Sequence, residues 1–244
     1  MNENINSLAL SIHSMKKEED LRLNAIESKQ KTEEIIQKHL PKSIMYGLDQ
    51  HEKDDSSYYV SDNCTIISIE IIGILDSVFN MTPKQTFEIL RKIYLYFDDI
   101  IKKYPSLIIM KKNEQNIILC SGLFDFADQP KLQIAQSLNF CNEIINATDD
   151  LSEQLMLDIT FNIAIVFGGP IAGNILCKSY PTFELVGNLL ETVMVFLEDE
   201  SIGIIKMNKE AMDLMDKREF VIDKEKEIRE KNVKMFFVKK VLTK

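Results

Sequence analysis

The sequence predicts an α+β sandwich of ferredoxin-like type, a mixed and mostly antiparallel sheet with helices on one side, preceded by a long N-terminal helix. Three observations predict it. β-branched runs at residues 64–75 and 158–167 read as buried strands. Amphipathic segments at 82–104 and 131–147 alternate with them, in the order strand, helix, strand, strand, helix, strand. Residues 1–40 hold neither Gly nor Pro, and Ile5, Leu8, Ile12 and Met15 recur at steps of three and four, the spacing of a coiled-coil seam.

Continued, that register lands on Glu19, Arg22, Ile26, Lys29, Glu33, Ile36 and Leu40, so the seam weakens in its middle. Two readings stand: a solvated helix packed on its own domain, or a dimerising coiled coil ahead of a second domain. Pro41 marks the boundary, giving a helix over 1–40 and a domain over 41–244. Residues 52–62, with five charges and three serines, read as a loop. Residues 64–75 (CTIISIEIIGIL) form a strand and its exit. The helix over 82–104 is capped by Thr82, takes Pro83 in its first turn, and turns inward Phe87, Leu90, Ile93, Tyr94, Phe97, Ile100 and Ile101. Residues 106–110 and 116–120 make a hairpin around 111–115. A helix over 131–147, a strand over 158–167, a Gly-Gly-Pro turn and a strand over 171–177 follow. A helix over 187–198, a strand over 203–207 and a short helix over 208–215, capped by Asn208, lead to a closing hairpin of 219–223 and 233–242.

Composition bounds the function. The chain has 244 residues, 45% hydrophobic and 27% charged, which is ordinary for a folded domain and excludes wholesale disorder. Its 29 Lys and Arg against 38 Asp and Glu leave a net charge of −9. Neither nucleic acid nor an anionic membrane surface attracts such a chain at long range, and a nucleotide user needs a local cationic site. Cys64, Cys120, Cys141 and Cys177 lie far apart with no C-x-x-C pair, so free buried thiols in a reducing compartment are expected. No leader is visible at the N-terminus, and the longest uncharged stretch, 159–177, carries three Gly and Pro170, which favours strand, turn and strand over a spanning helix. The expected location is cytoplasmic, without membrane insertion.

Generic chemical signatures are missing. His13, His39 and His51 all precede the first predicted strand, which leaves a His-dependent triad or zinc site without its ligands. Neither G-x-x-x-x-G-K-[ST] nor G-x-G-x-x-G occurs.

Six segments in order do carry a resemblance. Leu40-Pro41-Lys42-Ser43-Ile44 resembles an L-P-K-S-V opening, and CTIISIEIIGIL a V-T-x-L-F-x-D-I-x-G-F-T strand. The 82–104 helix, with Pro83, Leu90, Phe97 and Asp98, resembles P-x-x-x-x-x-L-N-x-x-x-x-x-F-D. Ser121-Gly122-Leu123 resembles an S-G-L after a metal-bearing hairpin. Gly169-Pro170-Ile171-Ala172-Gly173 resembles G-P-V-x-A-G, and PTFELVGN (181–188) resembles P-x-Y-D-x-W-G-N. Together, over residues 40–244, they resemble the class III adenylyl/guanylyl cyclase catalytic domain in a degenerate, pseudocyclase-like form.

That family holds two Mg²⁺ or Mn²⁺ ions on two Asp carboxylates. The resemblance places Glu70 at the first position, where the alternative is a plain strand-end charge, and the neutral Gln115 at the second. Gly73 of the phosphate loop remains, but Ile74 and Leu75 replace its Phe and hydroxyl-bearing Thr. Glu191 stands at the ribose-orienting Asn and Val195 at the Arg that stabilises phosphate charge, a loss worth about 10²–10³ in rate. The triphosphate-binding Lys falls on Glu230, flanked by Arg229 and Lys231. Lys111 and Glu184 match the adenine-selecting Lys and Asp, the alternative being a surface Lys beside Lys112 and a strand-end Glu. The resemblance thus implies a dimerisation or regulatory module without turnover, as a homodimer or as a heterodimer with another cyclase-type domain, with ATP as a candidate ligand. The rival it implies is an active Mn-dependent adenylyl cyclase. No cofactor is expected, with Mg²⁺ or Mn²⁺ accompanying any bound nucleotide.

Overall fold

A computed structural model of the chain describes residues 16, 19, 21–30, 58–74, 81–113, 115–176, 182–228 and 233–241. The chain divides into two units, residues 1–53 and 54–244. In the first, residues 21–30 are helical, with Leu21, Leu23 and Ile26 exposed. The seam residues Ile5, Leu8, Ile12, Met15, Glu33, Ile36 and Leu40 lie outside the described residues, as do Cys177, Arg229, Glu230 and Lys231.

In the second unit, β1 (Tyr59–Ser61) and β2 (Cys64–Ile72) precede α1 (Pro83–Ile101) and the hairpin of β3 (Ile108–Lys112) and β4 (Asn116–Ser121). Then come α2 (Pro130–Asn146), α3 (Thr148–Leu155), β5 (Thr160–Gly168), β6 (Ile171–Leu176), β7 (Thr182–Val186) and α4 (Asn188–Leu197). β8 (Ile205–Met207), α5 (Lys209–Leu214) and the hairpin of β9 (Phe220–Ile228) and β10 (Val233–Lys240) close the unit. Seven strands form one sheet in the order β3-β4-β2-β5-β8-β10-β9, antiparallel except for the β5–β8 pair. β1, β6 and β7 form a second, three-stranded antiparallel sheet.

The α+β class and the mostly antiparallel sheet agree with the sequence. The one-sided placement of helices does not. Ile67, Ile69 and Ile71 of β2 pack with Ile93 and Phe97 of α1, Ile134 of α2 and Ala211 of α5. The alternate residues Cys64 and Ile66 pack with Val166 of β5, Leu189, Val193 and Phe196 of α4, and Ile171. A strand apolar at both parities must be covered on both faces, so α4 and the small sheet take the second face.

Several boundaries follow from local chemistry. Thr82 forms a full capping box with Gln85 and Pro83 occupies the first turn, as the sequence predicts, but α1 stops at Ile101. Phe87 is exposed rather than inward: it lies six residues before Ile93, about 120° round the helix from the buried stripe. Asn208 caps α5 by accepting from the Ala211 N–H. The expected 52–62 loop contains β1. β3 begins two residues later than expected and takes in Lys111 and Lys112, with a bulge between Ile109 and Lys111. β9 runs five residues beyond its expected end, because its Lys-Glu alternation lies exposed on the sheet edge and gives no apolar signal.

Phe97 anchors the larger core: it is fully buried, and its ring meets those of Phe140 and Phe161 edge-on at centroid distances of 6.3 and 5.7 Å. Phe97→Ala is expected to lower stability by about 3–5 kcal/mol in denaturant unfolding. A loss under about 1 kcal/mol would mean that α1 is held by something else.

Candidate functional site

The site builds from the end of β2. Even-numbered residues of that strand face α4, so Glu70 emerges on this face near the strand's last turnaway, half-buried. Register sets it directly opposite Asn116 on β4 and Asn162 on β5. Asn162 is 1% exposed. Its Nδ2 donates to Glu70 Oε2 at 3.0 Å and to the Leu197 carbonyl at 2.7 Å, tying the strand to the last residue of α4. Its Oδ1 accepts from Nζ of Lys206 on β8.

Lys206 is wholly buried, beside Ala164 in the β5–β8 register. Its ammonium also donates to the Asp199 carbonyl and lies 3.8 Å from Asp199 Oδ1. Asp199 Oδ2 accepts from Lys226 Nζ of β9 at 2.8 Å, and Oδ1 from the Ser201 N–H at 3.0 Å. The result is one polar chain of Glu70, Asn162, Lys206, Asp199 and Lys226, running from the half-buried strand end to the sheet edge. Burial pulls the Lys206 ammonium down to about 8, against the opposing pull of Asp199 and Glu70. Burial also works to raise the Asp199 carboxyl, but hydrogen bonds from Lys226 and Ser201 outweigh it and hold the group below the usual carboxylate range.

Beside this chain a cleft of about 400 Å³ opens, lined by Val195, Glu198, Asp199, Lys226, Glu227 and Met235. That volume suits a small ligand. Val195 contributes hydrocarbon where the resemblance calls for Arg. Glu191 is exposed on the first turn of α4, one turn earlier. Gln115 does lie beside the end of β2, its backbone carbonyl accepting from the Ile71 N–H at 2.6 Å, so the two positions expected to hold metal are neighbours along the backbone of paired strands. Gly73 has φ +93°, and a Cβ there would fall 2.0 Å from the Asp158 carbonyl oxygen, a constraint that requires Gly whatever the loop binds. Lys111 is exposed on β3 opposite Ile118, on the α4 face. Lys112 turns the other way, to Asp98 at 2.9 Å. Glu184 sits half-buried on β7 opposite Asn174. No hydrogen bond or ion pair joins Lys111 to Glu184 among the described residues.

The residues present do not fit the two-ion centre that the fold family implies. Glu70 is a single carboxylate already engaged by Asn162, Gln115 offers a neutral carbonyl, and Asn116 adds one buried Oδ1 without a hydrogen-bond partner. A pair of hard divalent ions would be left with one negative charge and a buried ammonium one residue beyond it. Among the described residues no group of three or more His, Cys, Asp or Glu side chains is placed to hold a metal.

Sequence reading missed Asn162, Asp199, Lys206 and Lys226. One signal was available: Lys206 interrupts Ile204, Ile205 and Met207 in a predicted strand, and a buried lysine needs partners. Cys64, Cys120 and Cys141 are free and buried as expected, their thiols pushed up by burial. No helix among the described residues is long and apolar enough to cross a membrane.

No protein-family model and no curated protein matches the chain. The architecture of the second unit is nevertheless the class III nucleotidyl cyclase catalytic-domain fold. The guanylyl cyclase domain of the RhoGC fusion protein from the aquatic fungus Blastocladiella emersonii matches with a TM-score of 0.66 at 18% identity, over 77% of this chain and 100% of that one. The guanylate cyclase domain of RhGC from Catenaria anguillulae matches at 0.65 and 16%, over 76% and 99%. The adenylyl cyclase CyaB from P. aeruginosa matches at 0.65 and 14%, over 75% and 95%. At these identities the likeness establishes the fold. The Blastocladiella domain is found both as a monomer and as a dimer.

The Lys206 environment sets a pH dependence. Its value in the folded state, about 8, lies below the ordinary 10.5, so between those limits the unfolded chain binds more protons than the folded one. This group's contribution to stability is therefore greatest above the ordinary lysine value and is lost as pH falls through about 8. Denaturant midpoints of wild type are expected to gain a rising contribution from about pH 8 upward that Lys206→Met lacks; superimposable pH profiles would refute it.

Proposed function

We propose that the chain is a cyclase-fold domain that makes no cyclic nucleotide and acts as a dimerisation or regulatory module in cyclic-nucleotide signalling or a larger assembly. The observation that carries this reading is the charge of the cleft beside α4. It presents three carboxylates, Glu198, Asp199 and Glu227, and one ammonium, Lys226, which is already paired to Asp199 at 2.8 Å. A triphosphate meets repulsion there, and Val195 supplies nothing to counter charge that builds up in a transition state. The partner in this reading is a second copy or another cyclase-type domain; ATP held without turnover through Lys111 and Glu184 is a separate reading, that of a nucleotide sensor.

Concentrated protein incubated with Mn²⁺ and either ATP or GTP is expected to yield neither cyclic AMP nor cyclic GMP above a no-enzyme blank by mass spectrometry. Cyclic AMP that disappears in Glu70→Ala would instead make the chain an unorthodox adenylyl cyclase. Sedimentation tests the module: association with itself or with a co-expressed cyclase-type domain is expected, and a strictly monomeric chain that binds neither would end that reading.

A further inference from the structure

The Glu70 end of the site departs from a metal centre in a specific way. Its half-buried carboxylate is engaged at Oε2 by the protein itself: Asn162 gives one amide hydrogen to that oxygen and the other to the Leu197 carbonyl at the α4 terminus. The carbonyl oxygen of the same amide is turned to Lys206. The amide therefore works as a relay, presenting its donor end to the carboxylate and its acceptor end to the ammonium. Lys206 in turn is wholly buried and fixed by the Asp199 carbonyl and carboxylate, so its charge cannot swing out to water. A positive charge is thus built into the second face of the sheet, one side chain away from Glu70.

We propose that Lys206 is the resident cation of this pole, balancing Glu70 through Asn162, and that the domain takes no divalent ion at Glu70. Two consequences separate this from a simple loss of ligands. A cation already in place repels a second one, so restoring the missing carboxylate at residue 115 is not sufficient to restore metal. The ammonium must be removed as well. The inference rests on the geometry of the chain itself and does not require that nucleotide binds.

The test is Mn²⁺ binding by the full-length protein without nucleotide, read by loss of the free Mn²⁺ signal in electron paramagnetic resonance at equimolar metal and protein. Wild type and Glu70→Gln are expected to give the same undiminished signal. Gln115→Asp is expected to remain like wild type, and the double variant Gln115→Asp with Lys206→Met to bind Mn²⁺. A wild-type protein that takes up Mn²⁺, with the uptake lost in Glu70→Gln, would overturn the proposal; so would Gln115→Asp binding the ion with Lys206 in place. Should the double variant fail to fold, wild type, Glu70→Gln and Gln115→Asp still decide. Binding of Mn²⁺ without cyclic nucleotide formation would remove this inference and leave the silent-module reading standing, whereas turnover without Mn²⁺ uptake would do the reverse.

Discussion

The two-sided burial of β2 and β5 governs this structure. Residues 64–71 of β2 are buried at both parities apart from the half-buried Glu70, and residues 161–167 of β5 likewise. Neither face of the central sheet can meet water, so each needs its own layer. One face receives α1, α2 and α5 over the larger core; the other receives α4 and the three-stranded sheet. A polar side chain that the sequence places on the second face then needs partners inside the protein, because α4 packs directly on the strands, although Ser68 Oγ and Asn116 Oδ1 find none. The polar chain from Glu70 to Lys226 follows from that requirement.

Its arrangement also explains why α4 ends where it does. The last turn of a helix exposes carbonyl oxygens that lack intrahelical donors, and the negative end of the helix dipole lies there. Asn162 takes the Leu197 carbonyl and Lys206 the Asp199 carbonyl just beyond it. An ammonium buried near a helix C-terminus is better placed than one buried among hydrocarbon, and the Asp199 side chain completes its surroundings. Lys226 reaches the far side of Asp199, linking β9 at the sheet edge to the same centre. Burying ions is costly without such partners, and removing one member strands the others.

How much of this the sequence disclosed depends on the scale of the signal. Local chemistry was legible: the Thr82–Gln85 capping box, Pro83 in the first turn and Asn208 before α5 act within four residues and need no tertiary context. The order of strands and helices was legible because apolar runs and amphipathic stripes alternate cleanly. The short elements β1, α3 and β7 were not: β1 closes a charged, serine-rich stretch that reads as a loop, α3 follows the preceding helix almost without a break, and β7 lies between Pro181 and a Gly-Asn pair. Nor was the assignment of helices to opposite faces, which depends on which parity of β2 each helix meets. The candidate site divides along the same line. Glu70, Gln115, Lys111 and Glu184 were singled out through ordered motifs, while Asn162 on β5, Lys206 on β8 and Asp199 in the turn after α4 meet only in the fold, and no spacing in the chain encodes that meeting.

The motif resemblance itself has a structural explanation that weakens it as a sign of activity. Gly73 is demanded by a positive φ and by the Asp158 carbonyl lying where a Cβ would be. Gly122, in Ser-Gly-Leu, has φ +85°, and a Cβ there would sit 2.4 Å from both the Asn63 carbonyl oxygen and Gln133 Nε2. Gln133 is fully buried and donates that amide to the Asn63 and Phe126 carbonyls, so the glycine is fixed by packing against α2. Residues of this kind persist as long as the fold persists, whatever happens at the site. The positions free of such demands are those that line the cleft, and there the chain carries Val195, Glu198, Glu227 and a Lys226 paired to Asp199. A scaffold held by its own sterics can keep its signature whatever side chains line its cleft, and the polar chain in which Asn162 joins Glu70 to the buried ammonium of Lys206 is a separate solution, set by the burial of the second face rather than by the motifs.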